Sequence, residues 1–222
     1  MHPAALNYLK WYHETNVWKH VAYRGVRTLK LPSDMWNYQE IMFQHGVEWV
    51  IETGSRHGGS ALFFADLLRN AASPGKVFSI DYSPELDPRA AADPDTVFIT
   101  GDSADPAIVD SVMAQIPAER GRIFLILDSD HRAAHVKREL DIWVPRLRAG
   151  DYLLVEDTIV NGNPVRPEHG PGPLEAIRRY RAENPDALIP DPAREAKFGA
   201  TFAIEGYYTK ASAPLHTLQQ PL

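Results

Sequence analysis

The sequence predicts an α/β fold in which a mainly parallel sheet is covered by helices on both faces. Five short apolar runs, rich in β-branched and aromatic residues, recur along the chain, and each is followed by a helical pattern. This alternation is typical of parallel sheets, because the helices return the chain to the edge where the next strand begins. The runs are VEWVIET (47–53), KVFSID (76–81), TVFIT (96–100), RIFLILD (122–128) and DYLLVED (151–157).

The helical pattern is clearest after the fourth run. Apolar residues recur there at the spacing of one helix face, which predicts an amphipathic helix packed on the sheet. These residues are Val136, Leu140, Trp143, Val144 and Leu147.

The regions that flank the five runs have a different character. Residues 1–46 form a tryptophan-rich N-terminal segment, which we expect to be helical and to act as a lid or an oligomer contact, while 47–222 form the main domain. A loop rich in glycine and proline follows the fifth run, and so long a loop is usually functional or disordered. A helix at 174–183 and two closing strands at 200–205 and 207–210 complete the predicted elements.

Composition excludes several classes of protein. The 222 residues are 44% hydrophobic, enough for one domain with a sizeable core, and the net charge of −6 gives no electrostatic footprint for nucleic acid. The absence of cysteine excludes disulfides, thiolate metal sites and cysteine nucleophiles. The N-terminus lacks the apolar core of a signal peptide and no apolar run could span a membrane, which together predict a cytoplasmic protein.

Functional residues are expected where strands end, because ligands bind at the carboxyl edge of an open α/β sheet. After the first run, Glu52 is followed by Gly54, Gly58 and Gly59 before a helix. Glycines let the backbone approach a ligand closely, and the helix supplies free N–H groups. The pattern is not G-x-G-x-x-G and has no P-loop lysine. A tight turn without a ligand remains an equal alternative for this stretch alone.

Two further carboxylates end the next strands. Asp81 is placed to accept both hydroxyls of a ribose, and Asp102 lies within reach of an adenine amino group. A solvated turn aspartate is the alternative for Asp81, and a helix cap or turn for Asp102. The conjunction of acid and glycines, then acid, then acid at three successive strand ends predicts an S-adenosylmethionine site.

Three more carboxylates should converge beside this site. Asp130 follows the fourth run, and Glu156 and Asp157 end the fifth. Carboxylates so close together repel one another unless a proton or a cation intervenes, and a cluster of carboxylates alone suits Mg²⁺, Ca²⁺ or Mn²⁺. The alternative is that some of these acids cap the next helix, for which Asp128 and Ser129 are natural candidates.

The histidines carry separate predictions. His131 stands at the same strand end and is the candidate general base or orienting partner, whereas His135, one helical turn later, is expected to be structural. His57 and His169 are candidate cofactor and substrate contacts, with a solvated loop position as the equal alternative.

Six segments carry a family resemblance over nearly the whole chain. They are KLPSDMWNYQEI, IETGSRHGGSALFFADLL, DSDHRAAHVKREL, GDYLLVEDT, GPGPLEAI and DPAREAKF. In this order they resemble the cephalosporin hydroxylase family, a branch of class I S-adenosylmethionine-dependent methyltransferases that includes sugar O-methyltransferases of antibiotic and glycolipid pathways. One departure concerns the substrate wall, because the family often closes with F-N-P-x-G-Y where this chain has FAIEGY (202–207).

The resemblance implies a Rossmann-like sheet of seven strands with the last strand antiparallel, S-adenosylmethionine on the glycine loop, and Mg²⁺ held by Asp130, Glu156 and Asp157. The candidate catalytic residues are His131, as proton acceptor, and Asp130. The expected cofactor contacts are Glu52, Gly54, Ser55, His57, Gly58, Ser60, Asp81, Asp102 and Asp128.

The favoured function is therefore a Mg²⁺-dependent O-methyltransferase that acts on a hydroxyl of a sugar or small natural product, as a homo-oligomer without nucleic-acid or membrane partners. A cephalosporin-type hydroxylase is the alternative within enzymes, although no 2-His-1-carboxylate iron triad is evident. A partner protein that binds S-adenosylmethionine without turnover is the alternative outside them.

Overall fold

A computed structural model describes residues 2–212, and their central feature is a seven-stranded sheet. The strands are β1 (Ala22–Tyr23), β2 (Val26–Arg27), β3 (Val47–Thr53), β4 (Val77–Asp81), β5 (Thr96–Thr100), β6 (Arg122–Leu127), β7 (Tyr152–Val155), β8 (Leu188–Pro190) and β9 (Tyr207–Lys210). The helices are α1 (Pro3–Glu14), α2 (Pro32–His45), α3 (Gly59–Asn70), α4 (Pro88–Ala91), α5 (Pro106–Met113), α6 (Ala133–Trp143), α7 (Pro173–Glu183) and α8 (Pro192–Ala196).

The strand order β5-β4-β3-β6-β7-β9-β8 confirms the predicted Rossmann-like sheet. The first five strands in this order pair in parallel, and β9 is antiparallel to both of its neighbours. The order reverses at β3, because the chain leaves this strand toward β4 and returns on its other side as β6. A ligand site is expected at this reversal, beyond the carboxyl ends of the strands.

Helices cover both faces of the sheet, as predicted. Side chains alternate along each strand, so Ile51 packs with α5, α6 and α7 on one face, whereas Val50 packs with α2 and α3 on the other. The five residues of the predicted apolar stripe on α6 and the turn after it are all buried. Within the described residues, no helix is long and apolar enough to cross a membrane.

The prediction of a strand at 200–205 was wrong. This segment instead forms turns in which its backbone groups are satisfied locally: Ala203 N–H donates to Thr201 Oγ1 over 3.0 Å, and Gly206 N–H donates to Ala203 O over 3.0 Å. The seventh strand is β8, a stretch of three residues at the sheet edge that is too short to give a periodic signal.

The N-terminal segment combines the predicted helices with a small hairpin. The faces of α2 that carry Tyr38 and Ile41 are buried on the sheet, and α1 packs through Leu9 and Tyr12 on the loop after β7. The tryptophans divide between two environments: Trp49 lies in the core, whereas Trp11 and Trp36 are exposed.

Asp34 connects this segment to the end of the chain. The side chain lies in the first turn of α2 and is fully buried. Its Oδ2 accepts the Phe202 N–H over 2.8 Å, and its Oδ1 accepts the Tyr207 hydroxyl over 3.0 Å. Burial raises the pKa of Asp34 to about 6, because these donors do not offset the loss of water around the charge.

The raised pKa predicts a pH-dependent stability. Above the unfolded pKa of 3.8 the folded protein still holds the proton of Asp34, so stability falls as pH rises toward about 6. The shift is equivalent to about 3 kcal/mol. We therefore expect the advantage of the wild type over Asp34→Asn in urea unfolding to shrink by about 3 kcal/mol between about pH 4 and about pH 8. A difference that does not change with pH would contradict this assignment.

Candidate active site

Two adjoining cavities open at the carboxyl edge of the sheet. The first, which we call the β4–β5 cavity, has a volume of about 330 Å³ and is lined by residues that follow β4, β5 and β6. The second, the β6–β7 cavity, has a volume of about 290 Å³ and reaches residues that follow β7 and residues of the N-terminal segment. Gly54, Asp81 and Ser129 line both cavities, so an elongated ligand could occupy the two together.

The glycine loop forms the wall between β3 and α3. Gly54 has a φ of +93°, and a Cβ on it would lie 2.1 Å from the Asp128 carbonyl oxygen, so only glycine fits. Gly58, with a φ of +81°, precedes the first turn of α3. Ser55, His57 and Ser60 line the β6–β7 cavity. The structure thus places four of the predicted cofactor contacts on one loop and a fifth, Ser60, in the first turn of α3.

Glu52 has a different position from the one expected of a ligand contact. It is fully buried beneath the loop, where its Oε2 accepts the Ser79 hydroxyl over 2.8 Å, and it lines neither cavity. Ser79 in turn lies 2.7 Å from the Ser55 hydroxyl. Burial raises the pKa of Glu52. This carboxyl supports the loop from below.

Asp81 and Asp102 both reach the cavities. Asp81 lies where the two cavities meet, and its carboxylate accepts the N–H groups of Arg56 and Ser83, each over 2.8 Å. Asp102 lines the β4–β5 cavity but also accepts the Ala104 N–H over 2.9 Å and pairs with Arg138. Asp102 therefore has the turn role that the sequence offered as the alternative, alongside its place in the cavity wall.

One group of side chains could hold a metal ion among the residues that the structure describes. Asp128, His131 and Asp157 each offer a ligand atom, and these atoms lie within 4.8 Å of one another. His131 Nε2 lies 3.3 Å from Asp128 Oδ1 and 3.2 Å from Asp157 Oδ2. All three residues line the β6–β7 cavity. The two carboxylates are the ligand type that Mg²⁺ and Mn²⁺ prefer, and the imidazole is a common ligand of other divalent metals.

The structure does not gather the predicted set of Asp130, Glu156 and Asp157. Asp130 turns back on its own chain, where it accepts the Arg132 N–H over 3.0 Å and pairs with the Arg132 guanidinium. It lines the β4–β5 cavity, not the one with Asp157. Glu156 points into the interior with only 3% of its side chain exposed. Glu156 and Asp157 follow the last residue of β7, and Asp157 has a φ of +52°, so the two side chains separate.

Asp128 and Ser129 do not cap the next helix either. Helix α6 begins only at Ala133, and Arg132 stands at its N-cap. Asp128 is consequently free to face the cavity, and the Ser129 hydroxyl donates to Glu139 over 2.7 Å.

Lys30 is the residue of the site that the sequence reasoning missed. Its ammonium, 3% exposed, contacts Asp128 Oδ2 and lies 3.0 Å from Glu156 Oε1. The Tyr38 hydroxyl donates to the same Glu156 oxygen over 2.5 Å. Lys30 and Tyr38 belong to KLPSDMWNYQEI, so their place in a matched family segment was the one available signal.

The charged side chains of this cluster shift one another's pKa values. Burial alone would lower the pKa of Lys30, but Asp128 and Glu156 outweigh it and hold the pKa well above its ordinary value. Burial likewise opposes the charge of His131, yet Asp157 and Asp128 raise its pKa to about 9. Burial raises the pKa of Glu156 even beside Lys30. An ammonium and an imidazolium thus balance the carboxylate charge of this cluster.

The remaining histidines are dispersed. His135 lies 3.2 Å from the Ser103 hydroxyl and lines the β4–β5 cavity, and His57 Nδ1 lies 3.2 Å from the Glu85 carbonyl oxygen. The His169 imidazole lies 3.4 Å from the neighbouring Gly170 carbonyl oxygen, and the residue lines neither cavity.

The outer wall of the β6–β7 cavity comes from distant parts of the chain. The N-terminal segment contributes His13, Trp18 and Arg27, and the loop after β7 contributes Arg166. Phe202, in the segment that departs from the family pattern, completes this wall.

Three features together define a class I methyltransferase fold. The sheet has this strand order, a glycine loop lines a cavity at the point where the order reverses, and acids follow successive strands. The family described as Rhamnosyl O-methyltransferase/CmcI matches residues 15–211, and the chain belongs to this family. The rhamnosyl O-methyltransferase of Mycobacterium tuberculosis is 47% identical to this chain, over 91% of this chain and 83% of the relative. The rhamnosyl O-methyltransferase of Mycobacterium leprae is 48% identical, over 91% of this chain and 89% of the relative.

Solved structures share the fold. CmcI with Mg and SAM aligns with a TM-score of 0.66 at 20% identity, over 87% of this chain and 78% of CmcI. The O-methyltransferase NovP aligns with a TM-score of 0.55 at 16% identity, over 94% of this chain and 98% of NovP. The predicted family and the predicted fold are therefore confirmed.

The position of Lys30 predicts a large effect on stability. Lys30→Met leaves Asp128 and Glu156 without their buried cation, so we expect a loss of about 3 to 5 kcal/mol in the free energy of unfolding, measured in urea. Lys137→Met is the matched control. Lys137 pairs with the exposed carboxylates of Asp141 and Glu183, and its loss should cost about 1 kcal/mol or less. Equal effects of the two substitutions would contradict a special role for Lys30.

Proposed function

We propose that this protein transfers a methyl group from S-adenosylmethionine to a hydroxyl of a sugar, with a rhamnosyl group as the favoured acceptor. The observation that carries the proposal is the 47% identity to proteins named rhamnosyl O-methyltransferase, across 91% of this chain. The two adjoining cavities support it, because together they offer space for a methyl donor and a hydroxylated acceptor.

The residues of both cavities would hold the donor. Asp102 and Ser103 in the β4–β5 cavity would face its base, and Asp81 would accept the ribose hydroxyls. Gly54, which lines both cavities, would leave room for the methionyl end to reach the β6–β7 cavity. The narrow wall at Gly54 lets the donor pass because no side chain projects from it.

A divalent ion fits Asp128, His131 and Asp157, and Mg²⁺ suits the two carboxylate donors. Such an ion would orient the acceptor hydroxyl and lower its pKa. Lys30 holds the second oxygen of Asp128, so the first oxygen stays turned toward the cavity.

Alignment is the main task of the surrounding residues. Methyl transfer is an in-line displacement, so the acceptor oxygen must point at the methyl carbon. The outer wall of His13, Trp18 and Arg166 confines the acceptor to one side of the carboxylates. His131 lies between Asp128 and Asp157, so its Nε2 would serve the proposed cation group and would not be available to accept the hydroxyl proton.

The residues of the proposed cation group favour methyl transfer over hydroxylation as the reaction of this protein. The described cluster has one histidine and two carboxylates, whereas the iron triad of non-haem oxygenases uses two histidines and one carboxylate. The identity to named methyltransferases also favours an enzyme over a binding protein without turnover.

A direct test uses S-adenosylmethionine with a labelled methyl group, Mg²⁺ and a series of simple glycosides. We expect one methyl group to be added to a rhamnoside, as detected by mass spectrometry. Binding of the demethylated cofactor without methylation of any glycoside would instead support a binding protein.

The cation proposal predicts a difference between two neighbouring aspartates. Asp128→Asn removes one charge from the proposed ligand set, so we expect Mn²⁺ affinity in calorimetry to fall by about tenfold or more, together with turnover. Asp130→Asn is the matched control and should keep Mn²⁺ affinity within about threefold. Chelation should stop turnover while binding of S-adenosylhomocysteine persists. Loss of Mn²⁺ binding in Asp130→Asn alone would restore the set predicted from sequence.

The protein is also proposed to form a homo-oligomer through the outer face of α2. Trp36 is 60% exposed and Phe43 is 82% exposed on that face, one heptad apart. Large apolar side chains grouped on one surface are typical of protein interfaces. We expect Phe43→Glu to reduce the molar mass measured by light scattering. Tyr82→Glu changes an exposed residue that lines the β4–β5 cavity, far from α2 in the chain, and should not reduce it. A monomeric wild type would contradict the proposal.

A further inference from the structure

Helix α6 presents a row of polar atoms to the loop that follows β5. His135, Glu139 and Trp143 are spaced four residues apart, so they lie above one another on one side of the helix. The Ser103 hydroxyl donates to Glu139 Oε1 over 2.5 Å and lies 3.2 Å from His135 Nε2. The Trp143 indole N–H donates to the Ser103 carbonyl oxygen over 2.9 Å. Three successive turns of α6 therefore hold one residue of the β4–β5 cavity wall.

Glu139 also holds the loop that follows β6. The Ser129 hydroxyl donates to the same Glu139 oxygen over 2.7 Å, and the two serine hydroxyls lie 3.5 Å apart. Both Ser103 and Ser129 line the β4–β5 cavity, whereas Glu139 lines neither cavity. A single carboxylate oxygen behind the cavity wall thus ties two of its loops together.

The position of Glu139 is unfavourable for stability. Its side chain is fully buried, and its Oε2 has no hydrogen-bond partner among residues 2–212. A buried carboxylate oxygen without a partner costs free energy, so a neutral side chain would serve a purely structural role better. Glu139 raises the pKa of His135 against the effect of burial, which favours an imidazolium 3.5 Å from the carboxylate. A charge that is kept buried in this way is typical of functional sites.

The two loops that Glu139 holds are those that would contact the base of the methyl donor. Asp102 and Ser103 come from the loop after β5, and Ser129 comes from the loop after β6. A ligand binds more tightly to a wall that is already in place, because less conformational entropy is lost on binding.

We propose that Glu139 is a positioning residue for the methyl donor: through Ser103 and Ser129 it preorganises the loops that receive the adenosine part of S-adenosylmethionine. The inference rests on the proposed function, because it assigns the β4–β5 cavity to the donor, and it adds the residue that shapes this cavity from behind. Since Glu139 lies outside both cavities, its loss should act on donor binding and not on the chemical step.

The test combines calorimetry of S-adenosylhomocysteine binding with steady-state kinetics. Glu139→Ala should weaken this binding about tenfold and raise KM for S-adenosylmethionine by a similar factor, while kcat at saturating donor stays within about threefold of the wild type. Glu139→Gln keeps an acceptor oxygen for both hydroxyls and should recover most of the affinity. Leu140→Ala is the matched control on the same helix. Leu140 is fully buried in the core, so its truncation should lower the urea midpoint but leave S-adenosylhomocysteine affinity unchanged.

A double-mutant cycle shows whether the effect passes through the serine. Ser103→Ala should weaken S-adenosylhomocysteine binding in the wild-type background and have no further effect in Glu139→Ala. Unchanged affinity in Glu139→Ala, equal losses in Glu139→Ala and Leu140→Ala, or additive effects of Glu139→Ala and Ser103→Ala would overturn the inference. Failure of the proposed function is distinguishable, because the wild type would then methylate no glycoside. If the inference alone fails, the wild type methylates its acceptor and Glu139→Ala binds S-adenosylhomocysteine equally well.

Discussion

The ammonium of Lys30 is the interaction on which the arrangement of the site depends. Buried carboxylates at adjacent strand ends repel each other, and Asp128 and Glu156 lie on either side of this one cation. An isolated buried charge is strongly unfavourable, so the lysine and the carboxylates require one another. Lys30 comes from the N-terminal segment, and the segment is thereby bound to the catalytic edge of the sheet. The orientation of Asp128 toward the cavity follows from the same contact.

A second constraint is the approach of two backbones at the reversal point of the sheet. Gly54 lies so close to the Asp128 carbonyl that the loops after β3 and β6 are in contact. Since β3 and β6 pair in parallel without a register shift from Trp49 to Thr53, the sheet holds the two loops in register. The glycine loop and the cation group therefore belong to one rigid edge of the sheet. Next to this edge, α1 and the loop after β7 contribute to the outer wall of the β6–β7 cavity.

The parts of the site that could be predicted are those that strand ends dictate. A buried run followed by glycines or acids places these residues at the carboxyl edge, which is why Gly54, Asp81 and Asp157 all reach the cavities. Strand ends alone could not show which of two neighbouring aspartates lies beside Asp157. Asp128 and Asp130 differ by two residues, and only the local contact of Asp130 with Arg132 turns it away from Asp157. Lys30 was missed because it lies 98 residues from Asp128 in the chain.

The sheet, the positions of five parallel strands, the amphipathic face of α6 and the family could all be read from the amino-acid sequence. These follow from periodicity and from matched segments, both of which are local in the chain. The folded chain was needed to show which oxygen faces which cation, that 200–205 turns instead of pairing, and that α1 and the loop after β7 meet to form a groove. The physical reason is that electrostatic balance and cavity shape depend on groups that are distant in sequence, and these groups become neighbours only when the chain has folded.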